Sequence, residues 1–125
     1  MSVKRILLIE DDPLFHAFAK EVLERKKYIV YSAFDGVQAI EILNKNETDL
    51  ILVDLLLPEK DGIRFITESK LSHSTIPIIA MSGGSSQYSP SFLKAARSLG
   101  ASHTLEKPFV SQQLLELVDK CFNGI

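Results

Sequence analysis

The chain has 125 residues, 46% of them hydrophobic and 24% charged, with five prolines, which is the size and composition of one globular domain and excludes a disordered chain. Its formal net charge of −2 lacks the basic footprint of a nucleic-acid binder. The early apolar run "ILLI" ends in three acids, too short for an export signal, and no stretch approaches the ~20 apolar residues of a membrane span. Cys121 is the lone cysteine, so no internal disulfide forms, and no Cys/His spacing matches a zinc site. These features predict a cytoplasmic protein with no nucleic-acid or membrane partner.

In chain order, "VKRILLIE" (3–10) is an aliphatic strand, and Asp12 followed by Pro13 is a helix start: a capping side chain before a proline at the first helical position. Leu14, Phe15, Phe18, Val22 and Leu23 then fall on one helical face. "YIVYSA" (28–33) reads as a second strand, and "GVQAIEILNK" as a helix with Val37, Ile40 and Leu43 inward. "LILVD" is a third strand and "GIRFITESKL" a third helix. "IPIIAMS" (76–82) is a fourth strand, followed by the loop "GGSSQYS" and a helix from Pro90 to the C-cap glycine Gly100. "ASHTLEK" supplies a fifth strand, and the last helix sets Leu114, Leu117, Val118, Cys121 and Phe122 at helical spacing. Five apolar strands alternating with amphipathic helices predict an α/β fold, a parallel sheet covered on both faces. No repeat, low-complexity stretch or linker divides it.

Every strand of such a sheet ends at one edge, and ligands bind in the crevice outside the carboxyl ends. Glu10 and Asp11 stand at the end of the first strand, Asp54 at the third, Ser82 at the fourth and Lys107 at the fifth. The run "LILVDLLL" sets Asp54 among aliphatic side chains, where an ionised carboxylate is costly unless it finds a cation or an edge. Two like charges ~4 Å apart repel by about 4 kcal/mol at an effective dielectric of about 20. Three carboxylates therefore require a cation, and hard oxygens with room for water suit Mg²⁺. Lys107 offers a point charge, Ser82 a hydroxyl and Gly83 an accessible N–H. Carboxylates act as covalent nucleophiles, and phosphoryl transfer needs positioning and charge neutralisation more than a base. The inventory predicts phosphorylation of an aspartate.

With these residues in place, the chain from Lys4 to Phe122 resembles the receiver (CheY-like) domain of two-component response regulators. "LLIEDD" carries the acidic pair Glu10 and Asp11; "VDLLLPEKDG" the phosphoacceptor Asp54 with Pro58 and Gly62 beyond it; "AMSGG" the hydroxyl position Ser82; and "EKPF" the lysine Lys107. The resemblance implies a single-domain flavodoxin-like (βα)5 three-layer sandwich over residues 1–125, its core spanning about 4–122, with strand order 2-1-3-4-5. It implies Mg²⁺-dependent transfer of a phosphoryl group to Asp54 from a histidine kinase or histidine phosphotransfer protein, then a change in a surface that a downstream protein reads. Asp11, Asp54 and the Leu56 backbone carbonyl would ligate the metal, with Glu10 acting mainly through water. Ser82, the Gly83 N–H and Lys107 would hold phosphoryl oxygens. The chain would be no enzyme beyond its own phosphorylation and slow autodephosphorylation. The Lys107–Pro108 peptide would be cis.

Two positions depart from the family pattern. Thr104, three before the lysine, stands where an aromatic switch residue is common, and Leu56 is apolar where a polar group guides hydrolytic water, which implies a long-lived phosphoryl group. The glycine- and serine-rich loop over 83–89 is expected to order on phosphorylation. A degenerate receiver, acting as a phosphorylation-independent interaction module, is the alternative. A haloacid-dehalogenase-type phosphatase would want an acid at Leu56, and the acidic "EDDPLF" opposes flavin or nucleotide phosphate. His16, His73 and His103 share no spacing and are expected to ligate nothing; Phe15, Phe18, Phe92 and Phe122 are expected in the core, Phe109 against the last helix, and Cys121 as an inert thiol. The start at Met1 favours a natural N-terminus, and the chain reads either as a single-domain regulator or as one domain of a larger protein.

Overall fold

The structure is a computed structural model that describes residues 3–55, 57, 61–73, 75–83 and 90–124, with backbone alone at 61 and 90–93. Among the described residues the strands are β1 (Arg5–Ile9), β2 (Ile29–Ala33), β3 (Leu50–Asp54), β4 (Ile78–Gly83) and β5 (His103–Lys107). The helices alternate with them: α1 (Pro13–Arg25), α2 (Gly36–Lys45), α3 (Asp61–Ser72), α4 (Pro90–Leu99) and α5 (Ser111–Asn123). All strand pairs are parallel, in the order β2-β1-β3-β4-β5. The α/β class and this order are those expected.

The two-residue period of a strand sorts the core into two faces. Leu7, Ile9, Ile51, Val53, Ile78 and Ala80 turn to one side, where Ala39 and Leu43 of α2, Phe65 and Ile66 of α3 and Ala96 of α4 cover them. Ile6, Leu8, Leu50, Leu52, Ile79 and Met81 turn to the other, against Ala19 and Leu23 of α1 and Leu114 and Val118 of α5. Each fully buried Leu or Ile contributes about 1.5–3 kcal/mol relative to an exposed one, so this alternation drives the three-layer sandwich.

The chain leaves β1 for β2 on one side and later returns to place β3 on the other side of β1. Such a switch point leaves a crevice between the carboxyl ends of β1 and β3. At its margin Asp12 caps α1, with Oδ1 accepting the Leu14 N–H at 3.1 Å and Pro13 opening the helix, as the sequence suggests. Gly100 follows α4 at φ +131°, a conformation that favours glycine.

Some expectations are corrected. The outer strands β2 and β5 are largely not buried, whereas the three inner strands are buried except at Arg5 and Gly83, because an edge strand has a neighbour on one side alone. Leu14 is 83% exposed and Val37 70%, and Phe18 is also exposed. The buried stripe of α1 is His16, Ala19 and Leu23, and that of α2 is Ala39 and Leu43. Counting large apolar residues displaced both stripes, because small alanines and a histidine hold inward positions. Phe15 and Phe122 are partly buried, and the Phe92 side chain lies outside the description. Cys121, on α5, is half-buried against the cluster that holds Ala19 and Leu23 of α1, and burial pushes its thiol above the ordinary value.

Candidate functional site

Glu10 follows β1, and its N–H donates to the Ala33 carbonyl at 3.1 Å, extending the β1–β2 ladder by one bond. Its carboxylate is fully buried, accepts the Asp12 N–H at 3.1 Å through Oε2, and accepts from the Lys107 ammonium through Oε1. Asp11, next along, is exposed. Asp54 is the last residue of β3 and only 3% exposed. The bond from Leu55 N–H to the Met81 carbonyl, 2.8 Å, holds the chain to β4 just past it. Lys107 ends β5, and its Nζ donates to Asp54 Oδ2 at 3.0 Å and lies 4.2 Å from the centre of the Phe15 ring.

Folding thus joins the ends of β1, β3 and β5. Ligand oxygens of Glu10, Asp11 and Asp54 all lie within 4.8 Å of one another. Two buried carboxylates and one open to solvent form a hard-oxygen donor set that suits a divalent cation retaining water. Ser82, on β4 between Asp54 and Lys107, is 1% exposed, and its hydroxyl has no hydrogen-bond partner among the described residues. A buried hydroxyl left so forfeits about 1–3 kcal/mol, and an arriving oxygen would recover it. Gly83 pairs with Lys107 on β5.

Electrostatics follow from this burial. The Glu10 carboxyl is pushed up to about 7, first by burial and then by the neighbouring Asp54, against lowering by the Lys107 and Asp12 N–H bonds. For Lys107, burial pulls downward, but the bond to Glu10 and the Asp54 charge outweigh it and hold the ammonium above its ordinary value. Its charge therefore persists between the two acids.

Leu56, expected to lend a carbonyl, lies outside the described residues, as do Pro58 and 84–89 of the loop expected to order. Gly62 is described: a Cβ there would sit 2.5 Å from the Asp54 carbonyl oxygen and 2.6 Å from Leu55 Cα. The Lys107–Pro108 peptide is cis, as implied. Thr104 pairs with Ala80, half-buried. Phe109 is buried with Leu114 and Val118 of α5, as expected, and also meets Phe15 edge-on, with ring centroids 5.1 Å apart.

Sequence reasoning passed over two residues at the site. Phe15 was counted as core, yet its ring faces Lys107. His16 was set aside, yet its Nδ1 lies 2.9 Å from the Glu10 carbonyl oxygen and its Nε2 2.8 Å from Ser32 Oγ. The available signal was its i, i+3, i+7 register with Ala19 and Leu23, one turn after the acidic pair.

A flavodoxin-like parallel sheet with an acidic, lysine-bearing crevice at its switch point is the class that the fold and site define. The chain belongs to the response regulator receiver domain family, whose sequence model matches residues 6–119. It is 35% identical over 124 residues to the transcriptional regulatory protein CrdR of Helicobacter pylori, covering 96% of this chain and 55% of that protein. It is 31% identical over 120 residues to the chemotaxis protein CheY of Bacillus subtilis, covering 95% of this chain and 98% of CheY. The chain spans about half the length of the transcriptional regulators it matches. Among solved structures, a putative response regulator from Chloroflexus aurantiacus superposes with a TM-score of 0.90 at 27% identity, covering 98% of this chain and 99% of that one. Among the described residues no helix is long and apolar enough to cross a membrane.

Proposed function

We propose that residues 1–125 form one receiver domain of a cytoplasmic two-component relay, with Asp54 as phosphoacceptor. The observation that supports this reading is the convergence of Glu10, Asp54 and Lys107 from three strand ends, beside a Ser82 hydroxyl with no partner among the described residues. An Asp54 carboxylate oxygen attacks the phosphorus of a phosphohistidine on a kinase or phosphotransfer protein. The new O–P bond forms as the P–N bond breaks, and the imidazole leaves with the electron pair and takes a proton from solvent. Lys107, already bonded to Asp54, offsets the charge of the incoming phosphoryl oxygens; Ser82 donates its hydroxyl to one of them and the Gly83 N–H is assigned to another.

Glu10, Asp11 and Asp54 are the residues that would hold Mg²⁺, with the Leu56 carbonyl. When bound, the ion supplies positive charge that offsets repulsion between the carboxylates and the phosphoryl group. The phosphorylated domain then presents an altered surface to a downstream protein. Turnover of a separate substrate is not part of this reading; the chain modifies its own side chain and releases phosphate slowly.

The test is incubation with Mg²⁺ and acetyl phosphate, followed by intact mass measurement. One added phosphoryl group is expected, absent without Mg²⁺ and absent in Asp54→Asn. No modification by acetyl phosphate or by a panel of histidine kinases would leave the chain as a phosphorylation-independent interaction module.

A further inference from the structure

We propose that His16 is a positioning residue for the acidic pair, setting the peptide plane between Glu10 and Asp11 and so the direction in which both carboxylates meet a divalent ion. The proposal rests on the metal-dependent reading above. A carbonyl oxygen only accepts, so the 2.9 Å contact requires His16 Nδ1 to carry the hydrogen and donate to Glu10. In the neutral ring Nε2 then accepts from the Ser32 hydroxyl at 2.8 Å, which fixes one tautomer.

The ring is 4% exposed and stacks on Phe34, centroids 4.3 Å apart and planes 18° apart, so it cannot swing aside. Its own N–H donates to the Asp12 carbonyl at 2.8 Å, fixing the first turn of α1. Glu10 is thereby held from both sides: its N–H by Ala33 of β2 and its carbonyl by His16 of α1. That carbonyl belongs to the peptide unit joining Glu10 to Asp11. Its orientation sets ψ of the first residue and φ of the second, which decide where the Asp11 side chain points. A hydrocarbon at position 16 would fill the space and leave the Glu10 carbonyl without this donor.

The experiment compares the full chain with His16→Ala, His16→Asn and Ser32→Ala, titrating each with Mg²⁺ and following backbone amide shifts by NMR. His16→Ala is expected to weaken Mg²⁺ binding about tenfold, as loss of a group orienting a metal ligand does. His16→Asn, whose side-chain N–H can replace Nδ1, is expected to recover most of that affinity, and Ser32→Ala to lose less than His16→Ala. Long-range ¹⁵N spectra of the wild type are expected to show the Nδ1–H tautomer. Undiminished Mg²⁺ affinity in His16→Ala, an Nε2–H tautomer, or no recovery in His16→Asn overturns the proposal alone. Failure of the wild type to bind Mg²⁺ overturns the metal-dependent reading and this proposal with it.

Discussion

Lys107 crosses from the end of β5 to Asp54 at the end of β3, closing a 3.0 Å ion pair while the same ammonium bonds buried Glu10. With its side chain 16% exposed, it is the countercharge for two acids almost out of water. Removing one partner of a buried pair leaves the other uncompensated, which costs far more than losing a surface ion pair. Lys107→Met is expected to lose about 3 kcal/mol of stability in EDTA at alkaline pH. The loss should shrink in acid, where Glu10 is neutral, and with Mg²⁺ present. Urea denaturation reads all three, and equal losses in all three conditions would refute the account.

Gly62 lies against the backbone of Asp54 and Leu55, at 2.5 and 2.6 Å from where a Cβ would stand. Neither atom can rotate away, so Gly62→Ala must push α3 off the end of β3. The expected cost is about 2–3 kcal/mol, together with slower phosphorylation of Asp54. Gly124→Ala is the control: its φ is +70° but nothing among the described residues lies within 4 Å, so only the left-handed backbone penalty of roughly 1–2 kcal/mol applies. Equal denaturation midpoints for the two variants would show that the close approach relaxes freely.

The strand–helix alternation was legible because the inner strands are apolar runs with polar residues only near their ends, and helices carry a stripe. Their order was not: a periodicity says nothing of which strands pair, and 2-1-3-4-5 came only with the family resemblance. Acids and a lysine at strand ends stood out because charge beside "ILLI" and "LILV" is costly unless it reaches a rim or a countercharge; the fold keeps Glu10 and Asp54 buried and supplies Lys107. Helix faces were less legible, since Ala19 and Ala39 carry little hydrophobic signal yet sit inward, while Leu14 and Val37 point to water. The register of His16 with Ala19 and Leu23 marks it as inward, but its role was not legible, because its partners, the Glu10 carbonyl and Ser32, come from elements that only the fold brings alongside.

Phe15 presents its ring to Lys107 at 4.2 Å and packs edge-on against Phe109. A desolvated ammonium over an aromatic face gains roughly 1–2 kcal/mol. Phe15→Leu keeps apolar bulk and removes the π face, so a loss of about 1 kcal/mol is expected. Packing alone would produce a similar number, so the decisive measurement is the double-mutant cycle with Lys107→Met. Coupling of about 0.5–1 kcal/mol supports a direct ring–ammonium attraction, and strict additivity would refute it.

The Glu10 carboxyl, raised from 4.5 to about 7 by burial first and Asp54 second, makes stability depend on pH in a set direction. A folded-state value above the unfolded one means that the folded chain binds the proton more tightly. The stability from Glu10 is therefore full below about 4.5 and is lost as pH rises through about 7. Lys107, raised from 10.5, keeps its contribution throughout that window. In EDTA, unfolding free energy is expected to fall between about pH 5 and about pH 8. Because Mg²⁺ competes with the proton for the same oxygens, its apparent affinity should rise with pH across the same interval and flatten the stability profile at saturation. Asp54→Asn removes the charge that adds to the shift and leaves burial, so the fall should start at the same pH, end at a lower one and span a narrower range. Denaturant titrations across this interval, with EDTA and with Mg²⁺, check both slopes; a flat profile in EDTA would mean that Glu10 keeps its ordinary acidity despite its burial.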